Sequence, residues 1–194
     1  MKKKKILIVE DEALILKNFS NKVTQMGHEV IGCALNGLDA ERMIWELKPD
    51  LVLMDINMPG KDGISVIEDA CVPQMIPSVL ITGHYTDEFI QRAQSNQFVF
   101  AYLIKPVDYQ QMEAAINIAW HRYEELMEQM KETEKYKKAL QNRKYIERAK
   151  GFLMDQFGLR ESEAMERLQK MSKDKNKKLE EVAKGIIDAS QLLR

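Results

Sequence analysis

The stretch LVLMDINMPG, residues 51–60, decides the fold of this chain. Its first four residues are apolar, which is typical of a parallel strand that is covered on both faces. Pro59 and Gly60 then break the strand and predict a turn directly behind it. Asp55 is therefore expected at the carboxyl end of a strand, where open α/β sheets place their ligand sites. Taken alone, such an Asp also fits an ordinary turn cap, so the other strand ends must decide.

Four further apolar segments have the character of strands, and helical patterns separate them. The predicted strands are residues 4–9, 30–34, 78–82 and 99–104, and the predicted helices are residues 14–26, 40–47, 64–70 and 86–95. Strand–helix units that repeat in this way predict a doubly wound α/β domain built on a five-stranded parallel sheet.

Polar residues follow the predicted strands at one common edge: Glu10 and Asp11, Asp55, Thr82, and Lys105. Three carboxylates in one crevice repel one another unless a cation is present, and Mg²⁺ suits such oxygen ligands. Asp55 is then placed to act as a nucleophile toward a phosphoryl group. Lys105 and the Thr82 hydroxyl are placed to contact the phosphoryl oxygens. The alternative, that Lys105 only neutralises a cluster of acids, stays open here.

Composition and charge narrow the class of protein. Charged residues make up 30% of the 194 residues, and no apolar run approaches the length of a membrane-spanning helix. Two cysteines, Cys33 and Cys71, lack metal-ligand spacing and are expected as reduced thiols in or near the core. With no signal peptide in the sequence, we expect a cytoplasmic protein with no membrane partner.

The charge is distributed unevenly along the chain. Residues 1–109 carry 11 Lys and Arg against 15 Asp and Glu, a net charge of −4. Residues 110–194 carry 18 against 15, a net charge of +3, and residues 141–178 carry 11 against 6, a net charge of +5. An acidic front and a basic rear predict two domains with different partners.

Helical periodicity begins at Asp108, a predicted N-cap, and continues through a connector over residues 108–143. Its apolar positions alternate by three and four along Ile116, Ala119, Tyr123, Leu126, Met130, Thr133, Lys137 and Leu140. This heptad pattern predicts a coiled-coil dimer, although a single solvated helix fits the same residues.

The tail predicts a small bundle of three helices, over residues 144–157, from 161 or 162 to 171, and from 179 onward. Its predicted core is Ile146, Ala149, Leu153, Phe157, Ala164, Leu168, Leu179, Val182 and Ile186. The tail has no nucleophile, metal cluster or Gly-rich phosphate loop, so we expect no enzyme there. Its basic side chains fit either phosphate contacts or solvated surface.

The front half resembles the receiver domain of two-component response regulators, which has a flavodoxin-like fold. The motifs that carry the resemblance are VEDE (residues 9–12), MDINMPGKDG (54–63), ITG (81–83) and YLIKP (102–106). The resemblance covers residues 3–121, and we place the domain at residues 1–121. It implies that a sensor histidine kinase phosphorylates Asp55, and that Pro106 follows a cis peptide bond.

The same resemblance implies a Mg²⁺ site and a conformational switch. Asp11 would bind the ion directly, Glu10 through water, and Asn57 through its backbone carbonyl, beside Asp55. Thr82 and Tyr102 would form the switch pair, and phosphorylation would favour a homodimer. A phosphatase would need a second Asp where Asn57 stands, which argues against an aspartyl-phosphate enzyme.

The tail resembles the ANTAR domain of transcription antitermination regulators, over residues 137–192. The motifs are YIERAKGFLM (145–154), SEAMERL (162–168) and LEEVA (179–183), although Gln169 and Ser172 depart from the family pattern. The resemblance implies binding of stem-loop RNA in nascent transcripts, and we place this domain at residues 137–194. The candidate RNA-binding residues are Arg148, Ala149, Lys150, Gly151, Arg167, Lys170, Lys173 and Lys177.

Together these features predict a phosphorylation-dependent response regulator that acts as a transcription antiterminator. The alternative is a receiver that controls DNA binding through an unusual basic bundle. No convincing helix-turn-helix pattern favours that alternative.

Overall fold

The structure is a computed structural model, and it describes residues 3–83, 91–92 and 95–191. The chain divides into two compact units, Met1–Met127 and Glu128–Arg194.

The first unit is built on a five-stranded sheet in which every neighbouring pair of strands is parallel. The strand order is β2-β1-β3-β4-β5, which confirms the predicted doubly wound α/β fold. The strands are β1 (Lys5–Val9), β2 (Glu29–Ala34), β3 (Leu51–Asp55), β4 (Ser78–Thr82) and β5 (Val99–Ile104).

Helices α1 (Ala13–Gln25), α2 (Gly37–Leu47) and α3 (Gly63–Val66) follow the first three strands. The chain continues from α3 through a π-helical turn (Ile67–Cys71) and a last helical turn (Val72–Gln74). The helix predicted over residues 86–95 lies largely outside the described residues.

Strand β3 is buried along its whole length, as the apolar run before Asp55 predicted. Successive side chains of a strand point to opposite faces, so the run supplies both layers of the core. Leu51 and Leu53 pack in the layer that contains residues of α1, whereas Val52 and Met54 pack in the layer that contains residues of α2 and α3. A strand covered on both faces holds the residue at its end, Asp55, in a defined place.

Helix α4 (Tyr109–Phe157) contributes to both units. Asp108 caps its start as predicted, because its Oδ1 accepts a hydrogen bond from the Gln111 amide at 2.7 Å. Ile116 and Ala119 are fully buried in the core of the first unit, so the expected seam does not begin with them. From residue 131 to 141 every side chain is exposed, including Leu140. Pairing of this segment in a coiled-coil dimer stays a prediction.

The second unit consists of the last turns of α4 together with α5 (Glu161–Lys175) and α6 (Leu179–Gln191), which confirms the predicted three-helix bundle. Gly158, at φ +64°, follows α4. The buried core is Ala149, Leu153, Ala164, Leu168, Val182, Ala183 and Ile187.

Three expectations about burial were wrong in part. Phe157 is 53% exposed, because it stands at the very end of α4 and outside the buried core of the bundle. Ile187 rather than Ile186 is the fully packed residue of its turn on α6. Cys33 is exposed on the edge strand β2. Cys71 is buried, and burial raises the pKa of its thiol to about 12.

In the part of the chain that the structure describes, the helices are too short or too polar to cross a membrane.

Candidate functional site

The carboxyl ends of β1, β3 and β5 bring three predicted site residues together. Glu10 is fully buried and Asp55 is 3% exposed. The ammonium group of Lys105 donates to Glu10 Oε1 at 2.7 Å and to Asp55 Oδ2 at 2.8 Å. These residues are 95 and 50 positions apart in sequence, so only the parallel sheet places them in contact.

Electrostatics at this site follow from burial. Desolvation raises the pKa of the Glu10 carboxyl, although the hydrogen bond from Lys105 opposes that rise. Burial also acts to lower the pKa of Lys105, but its hydrogen bonds to Asp55 and Glu10 outweigh this effect and raise the pKa. Lys105 therefore stays charged and balances only part of the negative charge around it.

The donor set fits a hard divalent cation. One carboxylate oxygen from each of Glu10, Asp11 and Asp55 lies within 4.8 Å of the others. Among the described residues, Glu10 Oε2 is buried without a hydrogen-bond partner. A buried oxygen without a partner is costly unless a cation or water satisfies it. Oxygen ligands from few carboxylates, one of them exposed, are what Mg²⁺ prefers.

The loop between β3 and α3 is tightly packed against the end of β3. A Cβ at Gly63 would lie 2.0 Å from the backbone oxygen of Asp55, so the position admits no side chain without a backbone shift. The Gly63 amide donates to the Ile56 carbonyl at 3.0 Å. Asp62 caps α3 through the Ser65 amide at 3.0 Å. The recognisable signal in the sequence is the Asp-Gly pair directly behind the turn.

The same loop is also anchored from its side. The ammonium group of Lys61 lies 2.6 Å from Glu41 and 2.7 Å from Asp69. Asn57 is a predicted metal ligand through its backbone carbonyl. Its backbone N–H donates a hydrogen bond to Asp55 Oδ1 at 3.3 Å. The loop therefore fixes both Asp55 and the backbone beside it.

The two predicted switch residues differ in exposure. Thr82 is 3% exposed at the end of β4, beside the carboxylates' edge of the sheet. The Tyr102 ring on β5 is 62% exposed, so it points away from the core. The Lys105–Pro106 peptide bond is cis, as the resemblance implied.

In the second unit the predicted RNA-binding residues fall into two groups. Ala149 is fully buried in the bundle core, so its methyl group supports the fold and is not available for contact. A Cβ at Gly151 would meet open space. The exposed basic side chains are Arg148, Arg167, Lys170, Lys173 and Lys177.

Lys150 is already engaged within the bundle. Its ammonium group lies 2.9 Å from Glu147, one turn earlier on α4, and 2.7 Å from Glu161 at the start of α5. The hydrogen bonds that Lys150 donates to these two carboxylates raise its pKa. The geometry gives Lys150 a structural contact between two helices, which sequence spacing alone did not indicate.

Comparison with known proteins identifies both units. Residues 6–117 match the response regulator receiver domain, and residues 134–187 match the ANTAR domain. The transcriptional regulatory protein PdtaR of Mycobacterium tuberculosis is 31% identical over 185 residues, which span 95% of this chain and 90% of PdtaR.

Other similar proteins match a smaller part of the chain. The positive alginate biosynthesis regulatory protein of Pseudomonas aeruginosa is 39% identical over 117 residues, which span 59% of this chain and 46% of that protein. The receiver domain of a modulated diguanylate cyclase from Desulfovibrio desulfuricans G20 superposes with a TM-score of 0.59 at 30% identity, over 63% of this chain and 98% of that one. With its receiver pocket and its basic three-helix bundle, this chain belongs to the two-component response regulators that carry an ANTAR domain.

Proposed function

We propose that phosphorylation of Asp55 controls the binding of stem-loop RNA by the ANTAR unit, and that the bound protein acts as a transcription antiterminator. The observation that carries this proposal is the buried Asp55 carboxylate, bonded to Lys105, in the same chain as an ANTAR domain. A relative that spans nearly the whole chain bears the name of a transcriptional regulatory protein.

The chemistry proposed for Asp55 is phosphoryl transfer from a sensor histidine kinase. A carboxylate oxygen of Asp55 attacks the phosphorus of a phosphohistidine, the P–N bond breaks as the P–O bond forms, and the imidazole leaves. Lys105 lies where it can pair with a phosphoryl oxygen, and the Thr82 hydroxyl is placed to donate to another.

Glu10, Asp11, Asp55 and the Asn57 carbonyl are the residues that would hold Mg²⁺. When bound, the ion offsets negative charge on the phosphoryl oxygens. The carboxylates exceed the one lysine that faces them, and this excess supports the assignment.

The output step is a change in the face that carries Tyr102. Movement of Thr82 toward the phosphoryl group leaves space that the exposed Tyr102 ring is proposed to fill. The altered face would favour a homodimer, extended by the exposed segment of α4, which presents two bundles to two hairpins. We place this activity in the cytoplasm, where nascent transcripts and kinase domains meet.

The experiment compares the full chain with Asp55→Asn, in acetyl phosphate and Mg²⁺, on a phosphate-affinity gel. We expect phosphorylation of the parent chain and none of the variant. Asp188→Asn is the matched control, because Asp188 is exposed on α6 in the other unit. Retained phosphorylation in Asp55→Asn would contradict the assignment.

The second arm measures affinity for RNA hairpins and for duplex DNA at matched salt, with and without acetyl phosphate. We expect tighter hairpin binding after phosphorylation, and weaker, sequence-independent binding of DNA. A preference for duplex DNA would support the DNA-binding alternative instead.

A further inference from the structure

Phe157 is an aromatic side chain in an unusual place for a small bundle. It is the last residue of α4, and 53% of its surface is exposed. Gly158 follows at φ +64° and turns the chain toward α5. Among the described residues, neither the buried core of the bundle nor the partly buried apolar residues packed against it include Phe157. Packing of the fold therefore does not account for an aromatic residue at this position.

A cation lies on that ring. The guanidinium carbon of Arg167, on α5, is 4.2 Å from the centroid of the Phe157 ring. This distance is that of a cation–π contact, and a planar guanidinium also offers a face for stacking. Two stacked groups from two different helices thus meet at the surface of the second unit.

No described residue neutralises the charge of the Arg167 guanidinium group. Arg167 forms no ion pair with any residue in the described part of the chain, and its side chain is exposed. Lys150 contrasts with it, because two carboxylates already neutralise its ammonium group. Among the described residues, the charge of Arg167 therefore has no carboxylate partner, whereas that of Lys150 has two.

The residues around Phe157 and Arg167 suit an anionic partner that has unpaired bases. Residues 141–178 carry a net charge of +5, with eleven Lys and Arg against six Asp and Glu. Lys170 is exposed one turn beyond Arg167 on α5. Proteins that read RNA loops stack unpaired bases on aromatic rings and on arginine guanidinium planes, while nearby cations contact the phosphates.

We propose that Phe157 and Arg167 form a stacking platform for an unpaired base in the loop of the RNA hairpin. This inference rests on the proposed function and adds the contact by which the bundle holds the loop. Lys150 and Ala149 then shape the bundle, and the platform makes the base contact.

The test uses the full chain phosphorylated with acetyl phosphate and a pool of RNA hairpins with a constant stem and a randomised loop. Hairpins selected by the parent chain are titrated against Phe157→Leu, Phe157→Trp and Arg167→Lys. We expect Phe157→Leu to lose roughly tenfold to hundredfold in affinity, the usual cost of one stacked base. Phe157→Trp should retain the affinity, and its fluorescence should be quenched by RNA beyond any change in the parent chain.

Salt dependence separates stacking from charge. Loss of the ring in Phe157→Leu should lower affinity equally at all salt concentrations, because the number of phosphate contacts is unchanged. Arg167→Lys keeps the charge but loses the planar face, so it too should bind more weakly with nearly the same salt slope. Trp45→Leu is the matched control, because Trp45 is another exposed aromatic residue and lies on α2 of the first unit, and the affinity of this variant should not change.

Thermal unfolding of each variant completes the test. The proposal expects Phe157→Leu to keep the melting temperature of the parent chain. The proposal is overturned if Phe157→Leu binds RNA as tightly as the parent chain. It is also overturned if the affinity of Phe157→Leu falls only together with its melting temperature and Phe157→Trp does not keep the affinity of the parent chain. Failure of the parent chain to prefer any hairpin over duplex DNA would instead refute the proposed function, and the platform with it.

Discussion

Two lysines in this protein make the same pair of contacts in opposite surroundings. Lys105 in the receiver bonds Glu10 and Asp55, whose side chains are 0% and 4% exposed. Lys150 in the ANTAR bundle bonds carboxylates that are 55% and 70% exposed. Both cations are themselves largely covered, at 17% and 11% exposure. The difference lies in their partners.

The comparison shows what a lysine with two acidic partners can mean. Around Lys105 the carboxylates are desolvated, so their charge is available to a metal ion or a phosphoryl group and is costly without a cation. Around Lys150 the two carboxylates remain largely in water, and only the lysine side chain is covered. The first arrangement is the site proposed to take up Mg²⁺ and a phosphoryl group, and the second joins two helices.

The largest expected effect comes from removing the cation of the receiver. Lys105→Met leaves Glu10 and Asp55 buried and uncompensated, which should lower the free energy of unfolding by about 3 kcal/mol in Mg²⁺-free buffer. Mg²⁺ should restore part of this loss, because it supplies the missing positive charge. Urea denaturation with and without Mg²⁺ measures both effects.

Lys150→Met is the matched control for that experiment. Its partners are exposed and remain solvated, so its unfolding free energy should change far less and should not respond to Mg²⁺. If Lys105→Met and Lys150→Met lose the same unfolding free energy, the burial of the carboxylates does not distinguish the two sites.

The second prediction compares a closed position with an open one. Gly63→Ala would place a methyl group 2.0 Å from the Asp55 carbonyl oxygen, so the loop must shift. We expect a loss of about 2 kcal/mol in stability and slower phosphorylation by acetyl phosphate, measured by denaturation and by phosphate-affinity gels.

Gly151→Ala is the open counterpart, because nothing lies within 4 Å of its Cβ position. Inside a helix the change should raise stability by up to about 1 kcal/mol. If Gly151 contacts RNA, as its place among the candidate RNA-binding residues predicts, the more stable variant should bind hairpins more weakly. A destabilised Gly151→Ala would contradict the open packing described here.

The smallest effect is a difference in pH dependence between two glutamates that bond lysines. Desolvation raises the pKa of Glu10, so its contribution to stability is present below the ordinary glutamate pKa of about 4.3 and is lost as pH rises through the raised value. The hydrogen bond from Lys150 lowers the pKa of Glu161, so its contribution is present above that ordinary value and is lost on acidification.

Measuring unfolding in EDTA from about pH 4 to about pH 7 checks the two signs. In the parent chain, Glu10 should contribute a decrease in the free energy of unfolding as pH rises, and Glu10→Gln should abolish that contribution. Glu161 should contribute an increase as pH rises, and Glu161→Gln should abolish that contribution. If both substitutions change the slope of unfolding free energy against pH in the same direction, burial does not distinguish the two sites.

Much of the receiver was predictable because its signals are local. A short apolar run that ends at a turn signal favours a strand covered on both sides, and parallel strands bring their carboxyl ends to one edge. Glu10, Asp55 and Lys105 could therefore be placed together before any distance was known. The tight approach of Gly63 to the Asp55 carbonyl was not predictable, since it depends on how two backbone segments meet.

The contacts of α4 were harder to predict, because apolar residues spaced three and four apart do not show which partner covers the apolar face of the helix. Ile116 and Ala119 continue the heptad of the connector, yet they pack in the receiver core. Phe157 continues the apolar face of the bundle helix, yet it lies exposed under Arg167.

The sequence by itself determined the order of strands and helices, the acidic strand ends and the basic tail, because these follow from periodicity and residue type. Tertiary structure decided which charged groups are desolvated and which stay in water. The sheet buries Asp55 beside Lys105, which suits it to the proposed phosphorylation, and Lys150 joins two helices because Glu161 meets it across a turn. Those outcomes depend on distances between residues far apart in the chain, which no local pattern contains.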